Sequence, residues 1–151
     1  YVPDVLIEGC TVQNNRARGF LLTSAGTVVV RNNTFHTAGT AVLISGDAAD
    51  WFESGATKHI VVENNRFEDC DSVKNWGQGV IQVDTPVREI LPDQKLHQYL
   101  EIRDNEFISQ DGELLNAKNV ETVVFAGNHV TAPGTEENWV KLSDVGEYRR
   151  E

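Results

Sequence analysis

VLIEGCTV at residues 5–12 and VVVRNNTF at residues 28–35 are two copies of one eight-residue phrase. It recurs as IVVENNRF at 60–67, LEIRDNEF at 100–107 and VVFAGNHV at 123–130. The first position is Val, Ile or Leu, the third is Ile, Val or Phe, and the eighth is Val or Phe. Apolar residues at alternate positions predict a half-buried strand. The sixth position is Asn33, Asn65, Asn105 and Asn128, with Cys10 in the remaining copy. This Asn is expected to turn the chain, since Asn tolerates turn geometry and its amide bonds backbone groups. Copy starts lie 23, 32, 40 and 23 residues apart. A minimal coil with insertions directed to loops is the pattern of a solenoid.

A second phrase lies between the copies. It reads GFLLTS at 19–24, AVLISG at 41–46, GVIQVD at 79–84 and GELLNA at 112–117. The shortest coil is therefore a strand, an Asn turn, a short strand, a loop and a further strand. That predicts an all-β, right-handed parallel β-helix, a pectate-lyase-like solenoid of about four to five rungs stacked about 4.8 Å apart. The sixth-position residues should form an inward ladder, beside an inward column of Val12, Phe35, Phe67, Phe107 and Val130. An antiparallel sandwich is the rival, but it leaves the recurring Asn unexplained. No helical period with capping signals argues for a βαβ fold. In the second phrase, alternation places Phe20, Leu22, Val42, Ile44, Val80, Gln82, Glu113 and Leu115 outward. An apolar outer face of that kind is expected to pack under inserted loops or against another domain.

The 151 residues fit one domain, with rungs over 1–132 and a C-terminal cap or linker over 133–151. YVPDVLIEG enters a rung without a cap, so the chain is expected to be a piece of a longer solenoid. Its exposed edge is expected to support self-association. A net charge of −10 and a pI near 4.8 exclude general nucleic-acid binding, which needs a basic stripe. No signal peptide or membrane-spanning run is read in these residues, and no membrane partner is expected. Cys10 and Cys70 do not form a disulfide framework. Both are expected to be buried free thiols, with Cys10 pointing inward. His36, His59, His97 and His129 are scattered without zinc spacing. No calcium-loop, P-loop or dinucleotide motif is present, and no metal or other cofactor is expected.

Function in a solenoid gathers where rungs carry extra loops. One insertion follows the strand phrase at 41–46 and brings Asp47, Asp50, Trp51 and Glu53. Another spans 71–78 and holds Asn75 and Trp76, and a third spans 85–98, after Asp84. The loops after Gly46 and Asp84 leave the same strand on neighbouring rungs, so their acids share one side. An acid in a loop is ordinarily a solvated turn residue. Several acids beside indoles suit carbohydrate instead: an acid and a base for the glycosidic bond, and a ring to stack on the sugar. Asp47 and Asp84 are the candidate catalytic pair, with Asp50 or Glu53 as the substitute partner should Asp84 point away.

NNRARGF at 14–20 and GDAADWFESG at 46–55 are specific phrases. With them, residues 14–70 resemble the α-1,3-galactosidases of glycoside hydrolase family 110, bacterial enzymes that remove the blood-group-B galactose. Beyond residue 70 the resemblance is mainly rung pattern. It implies a right-handed parallel β-helix, an inverting, metal-independent exo-α-galactosidase and a secreted or periplasmic address. Arg18, Asp47, Trp51 and Glu53 are the positions that fall on the family's phrases. Asp84 comes from rung geometry alone, and which carboxylate is acid and which is base stays open. Arg18 is expected to hold sugar hydroxyls, Glu53 to contact substrate, and Trp51 or Trp76 to stack on the ring. The polygalacturonase phrases N-T-D, D-D, G-H-G and R-I-K are absent. The alternative function is a non-catalytic β-helix, used for carbohydrate binding or as a spacer in a surface protein.

Overall fold

The computed structural model describes residues 1–46, 55–85 and 93–151. Its strands, in chain order, are β1 (Val5–Glu8), β2 (Thr11–Gln13), β3 (Arg18–Leu22), β4 (Thr27–Arg31), β5 (Thr34–His36), β6 (Thr40–Ser45) and β7 (His59–Glu63). They continue as β8 (Arg66–Glu68), β9 (Ile81–Asp84), β10 (His97–Arg103), β11 (Glu106–Ile108), β12 (Leu115–Ala126) and β13 (His129–Thr131). A single helical turn, α1 (Glu136–Trp139), precedes β14 (Val140–Arg150).

Every pairing is parallel and joins a strand to its counterpart one coil away. The molecule is thus a parallel β-helix with three strands per coil. The phrase strands stack in the order β1, β4, β7, β10 and the second half of β12. The short strands stack as β2, β5, β8, β11 and β13. The third column runs β3, β6, β9 and the first half of β12. β12 passes from the third column into the phrase column without a break, so these two faces form one nine-stranded sheet. The coil continues where the phrase is lost. β14 pairs with the whole of β12, which sets Val140 beside Leu115 and Tyr148 beside Val123.

The eighth-position column is observed as expected, with Val12, Phe35, Phe67, Phe107 and Val130 in register. Phe35, Phe67 and Phe107 stack with centroids 4.8 and 4.9 Å apart, one rung spacing. The sixth-position ladder is also present. Asn33 donates from its Nδ2 to Ile7 O and to Asn65 Oδ1, and its backbone N–H donates to the same Oδ1. Asn65 and Asn105 repeat this pattern on the next rungs. Asn128 Nδ2 reaches Ile102 O. The fourth position alternates in sign, and its exposed pairs Arg31–Glu8 and Arg103–Glu63 join neighbouring rungs. Such exposed pairs are each worth less than about 1 kcal/mol.

Three expectations need correction. The residue that turns the chain is the fifth of the phrase, not the sixth. Gly9, Asn32, Asn64, Asp104 and Gly127 all have φ between +53° and +68°. That left-handed region favours Gly, Asn and Asp, which frees the sixth residue to point inward and bond. Cys10 keeps the backbone half of the ladder, its N–H donating to Asn33 Oδ1. Its thiol is exposed, however, while Cys70 is buried. The faces of β3 and β6 are also reversed, and Val80 and Leu115 turn inward, while Gln82 and Glu113 face outward as expected. Leu22, Val42, Ile44, Val80 and Leu115 lie in the core, and Phe20 packs against it. The outward row is Leu21, Leu43, Gln82, Asn116 and Lys141. A one-residue shift in the alternation exchanges the faces.

Candidate functional site

The outward row of the third column is apolar on the first rungs and polar on the later ones. Residues 71–78 leave β8 and fold beside it. They are pinned to the turn of the rung before, where Asp71 N–H donates to Thr37 O and Gly39 O, and Val73 N–H to Ala38 O. Asp71 itself is left-handed, with φ +55°. The segment, the outward Asn116 and Lys141, and Asp111 and Glu113 from the next turn enclose a cleft of about 470 Å³. Sites for small ligands span roughly 300–1,000 Å³.

Asp71 is the unusual group in this cleft. Its Oδ2 accepts a hydrogen bond from Gly79 N–H at 2.8 Å. Its Oδ1 is buried with no partner. Burial pushes the carboxyl from 3.8 up to about 6; the Gly79 bond opposes this, and the charges of Glu113 and Asp111 add to it. A carboxyl raised toward neutrality holds its proton to higher pH than an ordinary one and can act as a proton donor. Its surroundings are built for close contact, since a Cβ at Gly77 would overlap Thr40 Oγ1 and Asp71 Oδ1. Thr40 is buried, its single hydroxyl proton lies between Gly79 O at 3.0 Å and Gln82 Oε1 at 3.2 Å, and Gln78 N–H donates to Gln82 Oε1. Glu113 is not free, because Lys141 Nζ lies 2.9 Å from its carboxylate. Beneath the loop, burial pushes the Cys70 thiol up.

The residues expected from sequence fall into three groups. Asp84 ends β9 and is exposed, and its register partner on β6 is Ser45. The alternation that puts Gln82 outward puts Asp84 outward on the same face. Its Oδ1 accepts from Thr85 N–H at 2.8 Å. Asp47 therefore lies two residues along the chain past the partner of Asp84. Trp76 is 44% exposed on the segment that bounds the cleft, with the Arg16 guanidinium 5.4 Å from its ring centroid. Arg18 is exposed at the start of β3, opposite Thr40. Asp47, Asp50, Trp51 and Glu53 lie outside the described residues. Sequence reasoning passed over Asp71, Asp111 and Glu113. Asp71 opens an insertion that was noted for Asn75 and Trp76, and nothing local marks it, because neighbouring rungs supply its burial and its charged neighbours. Among the described residues no helix is long and apolar enough to cross a membrane.

Comparison with known proteins agrees with this architecture. The family described as a right-handed β-helix region matches residues 1–138. Alpha-1,3-galactosidase B of Phocaeicola vulgatus is 38% identical over 140 residues, covering 86% of this chain and 23% of the relative. Alpha-1,3-galactosidase A of Bacteroides fragilis is 34% identical over 134 residues, 88% of this chain and 22% of the relative. Alpha-1,3-galactosidase A of Shewanella woodyi is 33% identical over 129 residues, 85% and 21%. The chain thus spans less than a quarter of the length of these curated relatives. With its parallel coils, its Asn ladder and the match over residues 1–138, the chain belongs to the right-handed β-helix family, in a part of it similar to α-1,3-galactosidases.

Proposed function

We propose that this chain carries part of the active cleft of a glycoside hydrolase that removes terminal α-1,3-linked galactose from glycans. The observation that carries the reading is Asp71, a half-buried carboxyl raised to about 6 in a polar cleft. The names of the relatives supply the substrate class. Asp71 protonates the glycosidic oxygen as the sugar leaves. Asp84, outward on the same face, serves as the base that takes a proton from water, with Asp47 or Asp50 as its substitute. Single displacement with inversion follows if the two carboxyls stand about 6.5–9.5 Å apart with a water between them. Trp76, steadied by Arg16, offers a ring face to the sugar, with Trp51 in the same role. Arg18 and Glu53 hold hydroxyls. A glycan substrate outside the cytoplasm fits a secreted or periplasmic bacterial address.

The test is galactose release from an α-1,3-linked galactosyl disaccharide by the intact protein. Asp71→Asn is expected to lower kcat by about 10²–10⁴-fold, the usual contribution of a general acid. An aryl galactoside, whose leaving group needs little protonation, should recover most of that loss. Asp84→Asn should be slow on both substrates. Near-normal turnover of the disaccharide by Asp71→Asn would remove it from the role of acid. The non-catalytic alternative predicts binding of the disaccharide with no release by the wild type.

A further inference from the structure

His97 opens β10 and is 2% exposed. Its Nε2 lies 2.9 Å from the carbonyl oxygen of Asp84, and its Nδ1 lies 2.8 Å from Thr57 Oγ1. A carbonyl oxygen only accepts, so Nε2 carries a proton. In the neutral ring Nδ1 is then the acceptor, and the Thr57 hydroxyl donates to it. Thr57 is itself 2% exposed.

The positions of these three residues in the chain give the contact its meaning. Thr57 lies where the first long insertion returns to the sheet. Asp84 lies where the next one departs, and His97 where that one returns. One imidazole therefore ties together the roots of two insertions from neighbouring rungs. The surrounding backbone is held as well. Gln98 N–H donates to Thr57 O at 3.1 Å and Leu96 N–H donates to Asn119 Oδ1 at 2.6 Å.

We infer that His97 is a positioning residue: by holding the Asp84 carbonyl it fixes the backbone from which the Asp84 carboxylate projects on the outward face of the third column. The carboxylate is itself steadied by Thr85 N–H, the next residue along that backbone. The inference rests on the reading of Asp84 as the base, and its test has two arms that fail separately.

Two substitutions split the two bonds. In His97→Gln the amide reaches as far as Nε2 and keeps the donor to Asp84 O. In His97→Asn the amide reaches only as far as Nδ1 and serves Thr57 alone. Both lose the ring, so packing loss is common to them. In the intact protein, His97→Gln should turn over the disaccharide near the wild-type rate. His97→Asn should lose about tenfold in kcat with KM little changed, the signature of lost transition-state alignment. Equal kcat losses in both variants would make the role merely structural and overturn the inference. The second arm uses no activity. With ¹⁵N-histidine and ¹³C-carbonyl aspartate labels, His97 should show the Nε2–H tautomer. The Asp84 carbonyl shift should move in His97→Asn and hold in His97→Gln. An Nδ1–H tautomer, or an unmoved Asp84 signal in His97→Asn, overturns the inference. A wild type that releases no galactose defeats the functional reading alone and leaves this arm to decide.

Discussion

The amide at the sixth position of the phrase satisfies two backbone groups of the rung before and meets the next amide of the ladder. In Asn65 the Nδ2 donates to Val30 O, and the Oδ1 accepts from Asn33 N–H. Asn65→Leu keeps the branching of the side chain and removes its four hydrogen bonds in a buried place. The expected cost is about 1–3 kcal/mol, since buried partners lose their hydrogen bonds, and urea denaturation measures it. An unchanged midpoint would mean the ladder is replaceable by packing. Asp71 makes the opposite contribution at neutral pH. Its folded-state value of about 6 lies above its ordinary 3.8, so the folded chain holds this proton more tightly than the unfolded one. The stability it contributes is fully present below about pH 4 and is lost as pH rises through about 6. Asp71→Asn removes that titration. The melting temperature of the variant relative to wild type should therefore rise between about pH 4 and pH 8. A difference that does not vary with pH would contradict the raised carboxyl.

Among the elements, the segment 71–78 joins fold to site. Its hydrogen bonds to Thr37, Ala38 and Gly39 set it on the rung before, and Gly77 lets it approach Thr40 and Asp71 closely. Gly77→Ala inserts a methyl group where side chain and carboxylate already meet. Overpacking of this kind costs about 1–3 kcal/mol, and it should move Asp71 away from Gly79 N–H. We expect a lower melting temperature together with a reduced kcat. Wild-type values for both would show that the approach is looser than described. The outer face of the third column escaped the alternation for a reason written in its own phrases. GFLLTS and AVLISG are apolar at neighbouring positions, so either face could be taken as inward. The choice is made by Phe35 and its column, against which Phe20 packs at 5.3 Å between ring centroids.

For the molecule as a whole, stacking leaves strand edges as well as a core. Among the described residues β1 pairs only with β4 and β3 only with β6, and Leu6 and Leu21 on these strands are 53% and 47% exposed. Unpaired edges of this kind template association, while the net charge of −10 opposes it. We expect this chain to associate as concentration and salt rise, because salt screens the charge and not the edge. Sedimentation velocity at two salt concentrations reads this directly. A monomer at every concentration and salt would show that the edges are protected.

A repeat of one phrase was enough to determine the coil, its parallel pairing, the Phe column and the Asn ladder. Each of these depends on a residue meeting its own counterpart one rung away, so the requirement is written into every copy. The left-handed corner was also written there, in the fifth-position series Gly9, Asn32, Asn64, Asp104 and Gly127, though the more regular Asn beside it drew the reading. The inserted acids were legible as candidates, and Asp84 does face outward on the strand the alternation indicated. Only the tertiary structure decided which carboxyl is perturbed. The state of Asp71 depends on Gly79, Glu113 and Asp111, and its burial on packing contacts such as Thr40 and Gly77. Desolvation is a property of the packed neighbourhood, and no single copy of the phrase contains it.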